Sequence, residues 1–299
     1  MVNITPATEG SPQAPAPLMQ DWGVSALRQQ LQALEPHLEV EVLASVGSTN
    51  STLLERAATA SRQADSSGAC PPFPTRLLVA ESQTLGRGRQ GRRWHASPGA
   101  SLTFSVALTL APQDWSGLSL AVGVALAHTL DPAPQSSMAL KWPNDLWLRD
   151  PSAPAGGRKL GGVLIETASW AGGRERVCVI GVGLNVQAQV VQEASSGMAH
   201  LQEIWPQASA PAALARVAPA LLQGVRRFER EGFAGVQAAF AQRDLLKGQA
   251  VSTTQAGLSI GNAEGVDRTG ALLVRAPDGT LHRLVGGEVS VRTLVGKAS

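Results

Sequence analysis

Apolar positions along this chain follow two periods, and the places where the period changes outline its elements. "RLLVAES" at 76–82 and "SLTFSVALTL" at 101–110 are short and rich in apolar and β-branched residues, which predicts strands. "GLSLAVGVALAHTL" at 117–130 is apolar almost all round and bounded by polar residues, which predicts a buried helix too short to cross a bilayer. "MALKWPNDLWL" at 138–148 reads as a hairpin turning at Pro143-Asn144-Asp145. "KLGGVLIETASW" and "RVCVIGVGLNV" read as further strands joined across "AGGRE". Helices are expected at 211–231 and 232–243. A helix over "TLLERAATA" is expected to open with Thr52 and Glu55 as a capping pair. "SRQADSSGACPPFPT", 61–75, reads as a loop, too polar and too proline-broken for regular structure. Strands that neighbour one another in sequence predict a mixed or largely antiparallel sheet backed by helices, an α+β fold.

Both ends depart from this texture. Residues 1–17, "MVNITPATEGSPQAPAP", hold little to bury and read as a disordered leader. The stretch "DWGVSALRQQLQALEPHLEVEVL" gives one short amphipathic helix, stopped before Pro36, and then a strand. That leaves no room for a three-helix DNA-reading module ahead of the main domain. After Lys247 come evenly spaced short strands, "QAVSTTQ", "LSIGNAEGVD", "GALLVRAP", "TLHRLVGG" and "EVSVRTL", separated by Gly, Asp and Asn turns. They predict a small β-barrel over 247–295, following a main domain over 18–246.

Charge changes the picture only locally. Lys and Arg exceed Asp and Glu by 25 − 23 = 2, too little to draw nucleic acid to the whole surface. Two cysteines, Cys70 and Cys178, far apart, exclude a disulfide scaffold and a thiolate zinc site, and a reducing cytoplasm is the simplest setting. No signal-peptide pattern is present, and no apolar run reaches ~18 residues, so neither export nor a membrane partner is expected.

The positive charge gathers in "QTLGRGRQGRRW", which sets Arg87, Arg89, Arg92 and Arg93 within seven residues. Gly86 to Gly91 satisfy G-x-G-x-x-G after a strand. The dinucleotide fingerprint, however, also needs a helix to open at once, and "RRWHASPGAS" breaks one. Neither the kinase "HRD" and "DFG" nor a P-loop G-K-[ST] is present. What remains is a glycine loop carrying guanidinium groups between two strands, either a basic turn or a lid that neutralises oxyanions. Three other segments weigh on that choice. "GSTNSTLLER" offers Ser48, Thr49 and Asn50 at a helix N-terminus, more hydrogen-bonding groups than one cap uses. "KWPNDLWL" gathers Lys141, Asn144 and Asp145 around a proline turn, and "GRKLGGVLIE" presents Arg158 and Lys159 before a strand. Each has a plain structural explanation: a cap, a solvated corner, cations at a strand end.

In this order and at these distances, "GSTN", "AESQTLGRGRQGRRW", "KWPNDLWL", "GRKLGGVLIE" and "VIGVGLNV" resemble the biotin protein ligases, from about residue 42 to 293. The resemblance implies a class II synthetase-like catalytic domain followed by an SH3-like barrel. It also implies two half-reactions. Biotin and ATP, with Mg²⁺, give biotinyl-5′-AMP and pyrophosphate; a lysine on the biotin carboxyl carrier domain of a carboxylase such as acetyl-CoA carboxylase then takes the biotinyl group and releases AMP. By position, the resemblance makes Ser48, Thr49, Asn50 and Gln83 ligands of biotin. Arg87, Gly88 and Arg89 become the loop over the biotin tail and phosphate. Lys159 becomes the main electrostatic catalyst, with Arg89 and Asp145 beside it. Asn144, Trp94 and Asn185 line the nucleotide pocket, and Asp145 holds Mg²⁺ or orients the incoming amine. The resemblance is compatible with a monomer or a homodimer. Its rivals are a lipoate or octanoate ligase, which shares the fold and the adenylate chemistry, and a non-enzymatic protein that sets the arginines on nucleic-acid phosphates.

Overall fold

The computed structural model of the chain describes residues 19–67, 73–133, 137–170, 175–189, 197–286 and 291–294. The stretch 1–17 read as a leader lies outside the described residues, as do 68–72 of the polar loop and 171–174 of "AGGRE".

A seven-stranded sheet carries the main domain, in the order β1-β2-β3-β7-β6-β5-β4. β1 (Glu39–Val46) and β2 (Arg76–Gln83) run parallel, joined by helix α2 (Thr49–Ser67). Every other neighbouring pair is antiparallel: β3 (Ser101–Leu110), β4 (Met138–Lys141), β5 (Asp145–Arg149), β6 (Gly157–Ser169) and β7 (Arg176–Asn185). β3 is buried along nearly its whole length, as its unbroken apolar pattern requires of a strand covered on both faces. α1 (Val24–Gln32) buries Leu27 and Leu31, and α3 (Leu118–Leu130) is buried between the sheet and α4 (Ala210–Glu231). α4 buries a single apolar stripe of Leu214, Val217, Leu221, Val225 and Phe228.

Two helical expectations need correction. α2 begins at Thr49 and continues to Ser67, three residues before Thr52 at one end and well into the expected loop at the other. The cap is Ser48, whose Oγ accepts the Ser51 N–H at 3.4 Å, while the Thr52 hydroxyl donates back to the Ser48 carbonyl at 3.0 Å. Polar composition did not stop the helix because extending a formed helix costs little once its first turn is fixed. The expected helix at 232–243 is a 3₁₀ turn over Phe233–Gly235 followed by α5 (Gln237–Arg243).

Beyond α5 lies an antiparallel five-stranded sheet, ordered β11-β10-β9-β8-β12. Its strands are β8 (Ala250–Gln255), β9 (Leu258–Val266), β10 (Leu272–Arg275), β11 (Leu281–Leu284) and β12 (Val291–Thr293). Its inward residues Val251, Ala263, Leu272 and Val274 belong to the same continuous core as β3 and α3. The Trp142 indole N–H donates to the Gly270 carbonyl at 3.0 Å, fixing this small domain against the β4–β5 turn.

Candidate active site

One large cavity, of about 780 Å³, opens where α2, the 84–94 loop, the β4–β5 turn, β6 and the tip of β12 meet. That volume suits a small organic ligand. Its floor is β7. A Cβ built at Gly181 would sit 2.3 Å from Asn50 Oδ1, and one at Gly183 would sit 2.4 Å from Trp94 Cε2. These two glycines, two residues apart and so on one face, let Asn50 and the Trp94 indole lie close against the sheet.

Onto this floor α2 delivers Ser48, Thr49 and Asn50, all buried at 3–5% exposure. The Thr49 N–H donates to Gln83 Oε1 at 2.8 Å. Ser105 Oγ, fully buried on β3, lies 2.6 Å from Thr49 Oγ1 and 2.6 Å from Asn50 Oδ1. The Asn50 amide N–H₂ donates to Glu166 Oε2 at 2.9 Å and to the Leu164 carbonyl at 3.3 Å. Because a carboxylate only accepts, this contact fixes which end of the amide is oxygen.

The arginine loop folds back on itself. Trp94 N–H donates to the Gly86 carbonyl, Gly88 N–H to the Arg92 carbonyl, and Arg87 bridges Arg93. A 3₁₀ turn over Arg89–Gly91 forms the tip. The hairpin aims two guanidiniums at named partners. Arg87 Nη2 donates to both Glu166 oxygens at 3.1 Å, and Arg89 Nη1 to Asn144 Oδ1 at 3.2 Å. Burial pulls the Arg89 guanidinium below its ordinary value, an effect offset by Asp145 and reinforced by Arg92; it nonetheless stays charged.

The β4–β5 turn fills the opposite wall. Asn144 Nδ2 donates to the Val163 carbonyl at 2.7 Å, and the Val163 N–H returns to the Asn144 carbonyl at 2.9 Å, which welds the turn to β6. On β6 one extra residue, Leu160, interrupts the register between Leu146 and Trp147. Such a bulge re-aims its neighbours, and Lys159 Nζ here donates to Asp145 Oδ1 at 2.8 Å. Lys141 stands over the Trp147 ring, 4.3 Å from its centroid. Its ammonium is held below the ordinary lysine value, first by burial and then by Lys159, Arg292 and Arg92, against the pull of Asp145. Arg292, on β12 of the small domain, lines the same cavity.

The cavity therefore has a neutral hydrogen-bonding end, built on β3, β7 and α2, and a cationic end of Lys159, Lys141, Arg89 and Arg292 around the carboxylate of Asp145. It can hold a small polar head at one end and a polyanion at the other.

Comparison with known proteins identifies the class. Residues 71–185 match the Biotin/lipoate A/B protein ligase family, and residues 248–292 match the Biotin protein ligase C terminal domain. The chain is 31% identical over 297 residues to the bifunctional ligase/repressor BirA of Escherichia coli (strain K12), covering 92% of this chain and 86% of that protein. It is 31% identical over 214 residues to the biotin–[acetyl-CoA-carboxylase] ligase of Paracoccus denitrificans, covering 68% of this chain and 85% of that one. The fold is shared with the biotin protein ligase from Aquifex aeolicus in complex with biotin and ATP, at a TM-score of 0.66 and 24% identity over 86% of this chain and 99% of that chain. The chain belongs to the biotin protein ligase family and is an enzyme.

Most residues singled out in the sequence meet in this one cavity: Ser48, Thr49, Asn50, Gln83, Arg87, Gly88, Arg89, Trp94, Asn144, Asp145 and Lys159 all line it. Asn185 does not. It is buried beside Lys159, where its Nδ2 donates to the Ala199 carbonyl at 3.0 Å and reaches the Lys159 carbonyl at 3.4 Å, so it steadies the backbone that carries the lysine. Arg158 is tied to Asp150 and Glu203. Three residues went unread in the sequence. Ser105 and Glu166 are polar groups in otherwise strand-like runs, and Arg292 lies within a strand of a separate domain. A hydroxyl or carboxylate at an inward strand position was the available signal.

Proposed function

We propose that the enzyme activates biotin with ATP, forming biotinyl-5′-AMP, and transfers the biotinyl group to a lysine of a biotin carboxyl carrier domain. The observation that carries this reading is the two-ended cavity, in which a neutral polar socket leads directly into a cluster of cations. The socket suits a ureido head, which offers N–H donors and one carbonyl acceptor to Ser48, Thr49, Asn50 and Gln83. In the first step a biotin carboxylate oxygen attacks the α-phosphorus, the bond to pyrophosphate breaks, and a mixed anhydride forms. Both reactants are anions, so their approach is uphill until cations face them. Lys159, held by Asp145, and Arg89, held by Asn144, supply that charge from fixed positions, the condition under which such groups act most strongly, and Arg87 adds to it as the hairpin closes. The 84–94 hairpin over the anhydride keeps water from hydrolysing it.

In the second step the acceptor amine attacks the biotinyl carbonyl and AMP leaves. Asp145, which lines the cavity beside Lys159, orients the amine or assists the metal. No group of three His, Cys, Asp or Glu gathers among the described residues. Mg²⁺ needs no such cage, since it keeps several waters and takes one or two carboxylates together with substrate phosphates. Asp145 fits that donor set, and the ion would neutralise phosphate oxygens. Lys141 and Arg292 suit the β- and γ-phosphates. No described helix is long and apolar enough to cross a membrane. We assign the reaction to the cytoplasm, consistent with the unpaired Cys178, whose thiol burial pushes up to about 12.

The test is biotin-dependent pyrophosphate release from ATP and Mg²⁺, with biotinyl-AMP identified by mass spectrometry. Lys159→Ala should lower kcat/KM by ~2–4 kcal/mol of transition-state stabilisation, as loss of other preorganised donors does. A variant retaining most of the adenylation rate would remove Lys159 from this role. Turnover with lipoate but not biotin would transfer the reading to the lipoate ligases. The C-terminal family match at 248–292 supports biotin. The nucleic-acid alternative fares worse, because Arg87 and Arg89 are engaged with Glu166 and Asn144.

A further inference from the structure

We propose that Glu166 is a positioning residue that latches the arginine hairpin to the polar socket, so that recognition of the ligand head and closure of the loop form one hydrogen-bonded unit. This rests on the reading of the cavity as a biotin site. Glu166 stands behind the cavity wall and does not line it. One oxygen, Oε2, accepts from the Asn50 amide at 2.9 Å, and the pair of oxygens takes the Arg87 guanidinium at 3.1 Å each. From there the chain of contacts runs inward through Asn50 Oδ1 to Ser105 Oγ and Thr49 Oγ1, both steps at 2.6 Å, and on to Gln83. Arg87 and Glu166 are 79 residues apart in sequence, and these contacts are the route by which the loop feels the socket.

The partners differ in a way that suits a latch. Asn50 is 3% exposed and held by the floor, whereas the Arg87 side chain is 43% exposed. A half-exposed ion pair is individually weak, and here a single guanidinium nitrogen, Nη2, is shared between the two carboxylate oxygens rather than a full fork meeting them. The Arg87 end can therefore open and reclose while the Asn50 end stays fixed. The carboxylate is also the shorter of two acceptors for the Asn50 amide, at 2.9 Å against 3.3 Å for the Leu164 carbonyl. A glutamine there carries its own N–H₂, which must face either the Asn50 amide donors or the guanidinium. Facing Asn50 it opposes the amide donors; facing Arg87 it leaves the guanidinium one acceptor instead of two and sets donor against donor.

The experiment uses the full chain with Glu166→Gln, Arg87→Ala, the double variant, and Thr167→Ala as an exposed neighbouring control. Trypsin is applied without any ligand, and cleavage within residues 87–93 is timed by mass spectrometry. The latch predicts faster cleavage in Glu166→Gln than in the wild type and the Thr167→Ala control, with the melting temperature unchanged. Under turnover it predicts a KM for biotin raised about tenfold by either single substitution, no further rise in the double variant, and, for Glu166→Gln, an unchanged KM for ATP. Free biotinyl-AMP should also escape into solution. Equal cleavage rates, or substitution effects that multiply in the double variant, would overturn the proposal. A wild-type enzyme with no biotin-dependent turnover would refute the ligase reading, and the ligand-free cleavage rates would still decide the latch.

Discussion

Lys141 concentrates the electrostatics of the site in one residue. Its ammonium is buried against Trp147 and crowded by Lys159, Arg292 and Arg92, and Asp145 offsets only part of this. The sign follows from the charge type. A lysine with a lowered pKa is charged below that value and loses its charge, as pH rises, sooner than an ordinary lysine. Since kcat/KM reports the free enzyme, kcat/KM for ATP should fall on the alkaline side at a pH below the ordinary lysine range. Lys141→Arg should extend the plateau upward, because a guanidinium stays charged. Superimposable alkaline limbs for the two proteins would exclude Lys141 from phosphate binding. At this scale the sequence was half legible. "KWPND" and "GSTN" announced polar groups held close by a turn and a helix start, but not which of them was spent on structure. Ser48 caps α2, while Thr49 and Asn50 are occupied with Gln83, Ser105 and Glu166. Partners brought in from β2, β3 and β6 leave no local trace in the sequence.

Strand β7 makes the matching argument for elements. "VIGVGLNV" reads as a strand, yet its two glycines contribute no side chain to packing. The reason becomes visible only when the sheet is assembled, with Gly181 paired to Ser105 and Leu164, and Gly183 paired to Thr103 and Gly162. Adding a methyl at Gly183 places it 2.4 Å from Trp94 Cε2, a contact that moves the indole and with it the base of the hairpin at Gly86. Gly183→Ala is expected to cost ~1–3 kcal/mol of stability by overpacking and to raise the KM for biotin. Thermal melts and initial rates check the two effects separately. An unchanged KM would mean that Trp94 yields without disturbing the loop. The β4–β5 hairpin, by contrast, was legible in full, because a proline turn between two apolar strands is a local signal. The extent of α2 was not, because Ser, Gln and Asp suit a loop and an exposed helix turn alike.

The whole molecule places a small sheet domain where it can complete a site formed by the large one. Besides the shared apolar core, the Trp142 indole donates to the Gly270 carbonyl and Gln237 to the Val266 carbonyl, and Arg292 of the small domain lines the cavity. Gly270 belongs to a turn organised by Asp267, whose Oδ1 accepts from the Thr269 N–H and hydroxyl and the Ala271 N–H at 2.8–3.0 Å, while Oδ2 accepts from Arg283. Burial alone would raise this carboxyl, but Arg283, Thr269 and the backbone donors outweigh it and hold it at about 2. A carboxyl depressed in the folded state stabilises above its unfolded value, ~3.9, and that contribution fades as pH falls toward the folded value. Between about pH 4 and pH 2 the Asp267 turn should therefore loosen and release the Gly270 anchor beside the β4–β5 turn. Because Arg283 is half exposed, the contribution is discounted to about 1 kcal/mol. Urea unfolding of the wild type and of Asp267→Asn, at pH 7 and again near pH 3, measures it. The two proteins should differ more at pH 7 than at pH 3, since acid removes from the wild type what the substitution has already removed. A gap that stays constant would mean that the turn is held by its backbone alone, and that the small domain keeps its grip on Trp142 whatever the charge on Asp267.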